Sequence, residues 1–293
     1  MVMHSNSRTL LALGTFLILI ASLGTAPAFA DGGVGGSANP ASKIYVADLS
    51  GSAEITSNDK VQDLTKRSVH DAQGAVIQTK KNSTNAMVYS NGTGVFFDAD
   101  TKVDVKKFVQ EPFTPNRTDM NVEPSISNTY AVVDHGTVGL CTSKLVAGSS
   151  MTYATSAGSV SIRGGKVVIH ATDKGTVVSL ISGDVTVRGG SLDMGGENLK
   201  PGQQAIMTPG GPGQPSSITI QDIPPAQRPA LNNKVTMACM AKSTVYFDVV
   251  TKQNAASEAA KSNSAASQIV AKPVTPAILP TDYTVSASRL GGG

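Results

Sequence analysis

Residues 155–188 decide the fold. They read Thr155-Ser-Ala-Gly158-Ser-Val160-Ser-Ile162-Arg163-Gly164-Gly165-Lys166-Val-Val-Ile169-His170, a short polar turn, then Thr176-Val-Val-Ser-Leu180-Ile-Ser-Gly183-Asp184-Val-Thr-Val-Arg188. Apolar and polar residues alternate, and glycine-bearing turns break the runs. That period of two marks short half-buried strands. Val160 and Ile162 share one face, taken as the core face, and Arg163 points to the other, solvated one. The stretch contains no arrangement that reads as catalytic.

The same texture extends outward in both directions. Candidate strands are 43–49, 52–56, 74–79, 85–90, 94–98, 102–108, 130–134, 136–142, 150–155, 158–163, 166–171, 176–181, 184–188, 203–208 and 216–220. The connections are rich in Gly, Asn, Asp and Ser, and Asn91-Gly92 is the sharpest hairpin signal. A longer polar loop with three prolines covers 111–129. No long helical period interrupts residues 43–222. The fold class is therefore all-β, a short-strand sandwich or roll or an irregular β-solenoid, with a partly helical, partly disordered C-terminal tail. After Pro224-Pro225 the composition changes. Leu231, Val235, Ala238, Val245 and Val249 fall roughly on one helical face, so 223–270 reads as helical or mixed, with Ser243 to Val250 keeping a strand open. Residues 271–293 are rich in Pro, end in three glycines, and read as disordered or extended.

The start of the chain reads as a secretory signal over 1–30. Arg8 supplies the positive charge, Leu10 to Leu23 is almost wholly apolar, and Ala28-Phe29-Ala30 is a small-residue cleavage site before Asp31. An apolar run this short falls below the ~20 residues of a membrane helix. Residues 31–42 form a flexible leader of small residues. The mature chain is expected to be extracytoplasmic: periplasmic, in the cell envelope, or secreted.

Composition narrows the function classes. Charged residues make up 15% and the formal net charge is +3, so neither nucleic acid nor a membrane surface is an expected partner. Trp is absent and aromatics are 4%, so stacking platforms for bases or sugars are scarce. Two cysteines, Cys141 and Cys239, leave two readings: a disulfide, which export permits, or two buried thiols that never meet.

In chain order, further segments join the opening stretch. They are Ser50-Gly51-Ser52-Ala53-Glu54-Ile55, Gly74-Ala75-Val76-Ile77-Gln78-Thr79, and Ala86-Met87-Val88-Tyr89-Ser90-Asn91-Gly92-Thr93-Gly94-Val95-Phe96-Phe97. Thr155 to Gly165 with Ile162-Arg163-Gly164-Gly165 follows, then Leu180-Ile181-Ser182-Gly183-Asp184-Val185-Thr186-Val187, and finally Leu199-Lys200-Pro201-Gly202-Gln203-Gln204-Ala205. In this order they resemble the extracytoplasmic FecR domain over about residues 44–210. The resemblance implies the β fold and an extracytoplasmic, non-catalytic role. The family's regulators carry a cytoplasmic helical domain before a membrane anchor. Here only Met1 to Thr9 precede the apolar run, so no sigma factor is expected as a partner. The hallmark also continues with Gly165-Lys166 where a hydroxyl and an acidic residue are common.

No candidate site survives comparison with its ordinary structural explanation. The glycines at 158, 164, 165, 183, 189 and 190 lack the strand-loop-helix context of a phosphate cradle and read as turns. Arg163 and Arg188 read as solvated strand ends. His70, His135 and His170 have no His or Cys at metal-ligand spacing. Asp134 and His135 are adjacent, which on a regular strand sends their side chains to opposite faces. Asp98 and Asp100 share a face that could meet a cation, with turn capping as the plainer role. Asn82-Ser83-Thr84, Asn91-Gly92-Thr93 and Asn116-Arg117-Thr118 fit the glycosylation pattern and matter only in a source that glycosylates exported proteins. The expectation is no catalytic residue, no metal ligand and no cofactor. The chain reads as a structural or protein-interaction module of the periplasm or cell envelope, or alternatively as an envelope glycan- or ligand-binding module. A β-helical polysaccharide lyase would need a cluster of acidic and basic residues on one face, and none is seen.

Overall fold

A computed structural model describes residues 42–113, 121–190, 195–211, 213–251 and 267–273. The segments read as a secretory signal and a leader, up to residue 41, and the tail from 274 onward lie outside the described residues. The strands are β1 (Lys43–Ser50), β2 (Ala53–Ser57), β3 (Lys60–Asp63), β4 (Val69–Asp71), β5 (Val76–Thr79), β6 (Thr84–Tyr89), β7 (Gly94–Phe97), β8 (Thr101–Gln110), β9 (Ser127–Thr142) and β10 (Ser150–Thr155). β11 (Gly158–Thr172), β12 (Gly175–Arg188), β13 (Glu197–Leu199), β14 (Gln203–Thr208) and β15 (Ser217–Asp222) complete one connected 15-stranded sheet. The helix α1 (Arg228–Ser243) and a separate hairpin, β16 (Val245–Thr251) with β17 (Ser267–Pro273), follow.

The protein is all-β with one helix among the described residues. Inward-facing residues from β1 to β14 form a single buried cluster that includes Ile44, Ile77, Phe97, Phe108, Leu140, Tyr153, Ile162 and Met207. The sheet is therefore curled around one core. Of the strand pairings among the described residues, β9 with β10 is parallel and the others are antiparallel. That is a roll and not a solenoid, whose coils would stack in parallel.

Two long strands hold the roll together by changing neighbours along their length. β9 lies between β8 and β10 over its first half, then between β7 and β11. β11 pairs with β10 up to Ser161 and with β9 from Gly165 onward. The change falls at Gly164-Gly165, opposite Gly183-Asp184 of β12, where the register shifts. A Cβ on Gly165 would sit 2.1 Å from the Ser182 carbonyl, and one on Gly183 would sit 2.0 Å from the Gly164 carbonyl. Only glycine lets the two backbones close to that distance with φ at +122° and +110°. The separate strands expected at 158–163 and 166–171 are thus one bent strand, as are 176–181 with 184–188 and 130–134 with 136–142.

The alternation holds where it was read. Ile162 and Val160 are buried and Arg163 is exposed. The helix begins with a proline in its first turn, which suits that position because the proline's missing N–H has no partner there in any case. It ends at Ser243, so Val245 and Val249, expected on the helix face, belong to β16. β17 includes residues 271–273, which were expected in the disordered tail. The exposed β3 and the three-residue β4 and β13 were not expected at all.

Candidate functional site

The outer face of the sheet carries α1. The helix contributes the small side chains Ala238 and Ala241, and the sheet contributes Tyr45, Ala86, Val88, Phe96 and Cys141 to a second buried cluster; Val235 of the helix is also buried. Val245 and Phe247 of β16 extend it. Two glycines make the seat. A Cβ on Gly94 of β7 would lie 2.0 Å from the Ala238 carbonyl oxygen, and one on Gly139 of β9 would lie 2.9 Å from that of Lys234. The helix backbone thus rests almost directly on the strand backbone. Glycine inside a strand is the sequence signal of such an approach.

Two further links fix the helix. Cys239 of α1 is bonded to Cys141 of β9, with Cα atoms 5.1 Å apart and a sequence separation of 98. Of the two readings left open by the sequence, the structure has the disulfide. Lys234 forms an ion pair with Asp98 at the end of β7. Asp98 also accepts the Ala99 N–H at 2.9 Å, so its carboxylate is occupied by a helix contact and a turn. Asp100 is exposed beside it.

Beside the N-terminal half of α1 runs a groove of about 560 Å³. Its floor is two cross-strand rows. One is Val168, Ser179, Gln204 and Gln221; the other is Thr137, His170, Val177 and Ile206. Ala226, Gln227, Ala230, Leu231 and Lys234 form the wall. Gln204 is 3% exposed and accepts from Ser179 Oγ at 3.4 Å. His170 Nδ1 lies 2.8 Å from Thr137 Oγ1 on the exposed face.

The other singled-out residues do not converge. His70, near β1, is held below its usual range by burial, against the opposing pull of Asp71; its Nε2 lies 2.8 Å from Ser68 Oγ. His135 Nδ1 lies 3.2 Å from Asp134 Oδ2. This corrects the expectation of opposite faces: β9 bends at Gly136, and its pairing with β8 shifts register there, so the strand is not regular. Arg163 and Arg188 are exposed and far apart along β11 and β12. Among the described residues no group of three or more His, Cys, Asp and Glu is placed to hold a metal ion. No helix among them is long and apolar enough to cross a membrane.

One charged residue escaped the sequence reading. Glu123 is 3% exposed where the long loop returns to β9. It accepts from Ser127 Oγ and from the Val146 N–H at 3.2 Å. Asn91 donates to Ser127 Oγ at 3.1 Å, joining this cluster to the β6–β7 turn. Burial raises the Glu123 carboxyl above its ordinary range, against hydrogen bonds from Ser127, Ser149, Val146 and Asn91 that lower it. The cluster anchors the loop. A lone Glu in a proline-rich loop carries no sequence sign of this.

No protein-family model and no curated protein matches the chain. Among solved structures, two crystal structures of a "putative anti-sigma factor" from Parabacteroides distasonis, at 2.50 and 1.65 Å resolution, are similar in part. Their identity to this chain is 18% and 17%, each with a TM-score of 0.37, over 53% of this chain and 62% of theirs. The chain thus spans less than two thirds of these proteins. A likeness of this size carries neither fold nor function across.

Proposed function

We propose that this chain is a non-catalytic, extracytoplasmic module of the FecR-like kind that acts as a structural or protein-interaction domain in the periplasm or cell envelope. The observation that carries the reading is the Cys141–Cys239 disulfide, which fastens α1 to the sheet. Structural disulfides persist in oxidising compartments, in agreement with the secretory signal read over 1–30. The ordered FecR-like segments support the same reading. Glycine turns and strand bends account for the hallmark residues, and the disulfide-held helix gives the sheet a composite outer surface. Among the described residues the lining of the groove beside α1 holds no Phe, Tyr or Trp, which favours a protein partner over a glycan.

Thiol trapping in intact cells tests the compartment. Cys141 and Cys239 should resist alkylation until a reductant is added, and intact-mass analysis should give Asp31 as the first residue. Free thiols in the native protein, or a mature chain that keeps Leu10 to Leu23, would overturn the reading. Turnover of a polysaccharide by the purified protein would overturn its non-catalytic part.

A further inference from the structure

We propose that β15 is a self-association edge, through which two copies of this chain join their sheets in an antiparallel pair centred on Thr219. β15 ends the path of the sheet and, among the described residues, pairs only with β14. The Ile223 N–H reaches the Gly202 carbonyl, directly opposite in the continued register. Hydrogen-bonded pairs alternate in an antiparallel ladder. Ser217, Thr219 and Gln221 therefore turn their backbone groups to β14, and Ile218, Ile220 and Asp222 turn theirs to the free edge. Counting outward from the tight Thr172–Gly175 hairpin through β12 and β14 gives the same parity.

This edge carries few of the usual guards, a single carboxylate, Asp222, at its end. Its six residues, Ser-Ile-Thr-Ile-Gln-Asp, contain no Lys, Arg or Pro, and its register on β14 runs without a bulge. Both flanks are held: Ser216 donates to the Gly189 carbonyl and Ile223 to that of Gly202. The other edges of this sheet among the described residues are poorer templates. β4 and β13 are three residues long, and β3 is wholly exposed with a charge at each end.

The sequence of β15 is complementary to itself in one register. Residues directly opposite each other in a sheet share a face, so a two-fold pair must be centred on a residue. Centred on Thr219, it sets Thr219 against its own copy and Ser217 against Gln221 on the outer face. On the inner face it sets Ile218 against Ile220. Each Ile218–Ile220 pair exchanges backbone hydrogen bonds in both directions. Ile218 and Ile220 are only partly buried against the core in the single chain, and the second copy covers them. Asp222 falls opposite Ser216, so no like charges meet. An edge uncharged from Ser217 to Gln221 and matching its own reverse specifies a second copy of this chain over a strand of different sequence.

The test uses the oxidised protein. Sedimentation over a range of concentrations should show a monomer–dimer equilibrium. Thr219→Lys sets two ammonium groups face to face and should weaken it by about fivefold or more. Thr219 is exposed, so the variant should keep the melting temperature and circular dichroism of the parent. A non-hydrogen-bonded antiparallel pair brings side chains closest. Thr219→Cys should therefore give a disulfide-linked dimer under mild oxidation, with the Cys141–Cys239 bridge intact by peptide mapping. Gln221→Cys, which faces Ser217 of the other copy, should not. A parent protein that stays monomeric, a dimer indifferent to Thr219→Lys, or Gln221→Cys cross-linking as readily as Thr219→Cys would each overturn the proposal.

Discussion

Replacing Gly94 by Ala tests the seat of the helix. The added Cβ would meet the Ala238 carbonyl oxygen at 2.0 Å, where ordinary contact begins near 3.4 Å. The obstacle is helix backbone, so no side-chain rotation relieves it. Either α1 retreats by more than an ångström or β7 moves inward against a filled core. Retreat is opposed by the disulfide at the neighbouring Cys239 and by the Lys234–Asp98 pair. Overpacking of this kind costs about 1–3 kcal/mol. Partial exposure of Val235 adds a fraction of the ~1.5–3 kcal/mol for a whole apolar side chain. A total of about 3 kcal/mol is expected, and for a domain of this size it lowers the melting temperature by roughly 6–12 °C. The control is Gly211→Ala, where a Cβ meets nothing within 4 Å and φ is not positive. Thermal unfolding followed by circular dichroism decides the matter. If Gly94→Ala melts together with Gly211→Ala, the helix does not rest on β7 and the account of the outer face fails.

Other outcomes follow from the same packing. Cys141→Ser with Cys239→Ser should destabilise the protein by up to about 4–5 kcal/mol on the chain-entropy account for a loop of this length, and proteolysis should then reach α1 before the roll. Ile162→Asp places a carboxylate in the core and should cost several kcal/mol, about 3 or more, whereas Arg163→Ala on the solvated face should cost less than about 0.5; equal melts would mean the strand register is wrong. The Glu123 carboxyl is raised in the folded state. Its contribution is therefore full below the unfolded pKa and is lost as pH rises through the folded one. Denaturant titrations from acid to neutral pH should show Glu123→Gln gaining on the parent as pH rises; parallel curves would mean that the carboxyl is not raised.

The alternation of residues 155–188 was enough to give the core face, because a half-buried strand writes its two sides directly into sequence. The bends were not legible as bends. Gly164-Gly165 and Gly183 read as the ends of strands, yet a glycine that removes a side chain need not interrupt a hydrogen-bond ladder. β11 and β12 run through theirs and change neighbours there. The helix was visible through its changed composition, but its limits were not, since Val245 and Val249 continue the apolar pattern into β16 and only tertiary packing separates them. The seat at Gly94 and Gly139 was hidden for a related reason: both glycines lie in strands whose apolar neighbours already explain them. Glu123 was unreadable because its burial depends on Ser127, Asn91 and Ser149, brought together by pairings remote in sequence.

The position of the disulfide bears on how the chain is made. Synthesis runs at about 5–20 residues per second, so Cys239 follows Cys141 by roughly 5–20 s. All the strands of the roll are present by then, and β6, β7 and β9 can already pair. Through that interval the Cys141 thiol has no mate, and Ala86, Val88 and Phe96 have no cover. The growing chain is then most open to mispairing with another thiol or another sheet. A product that stops short of Cys239 keeps that exposure for its whole lifetime, with a roll that is otherwise complete.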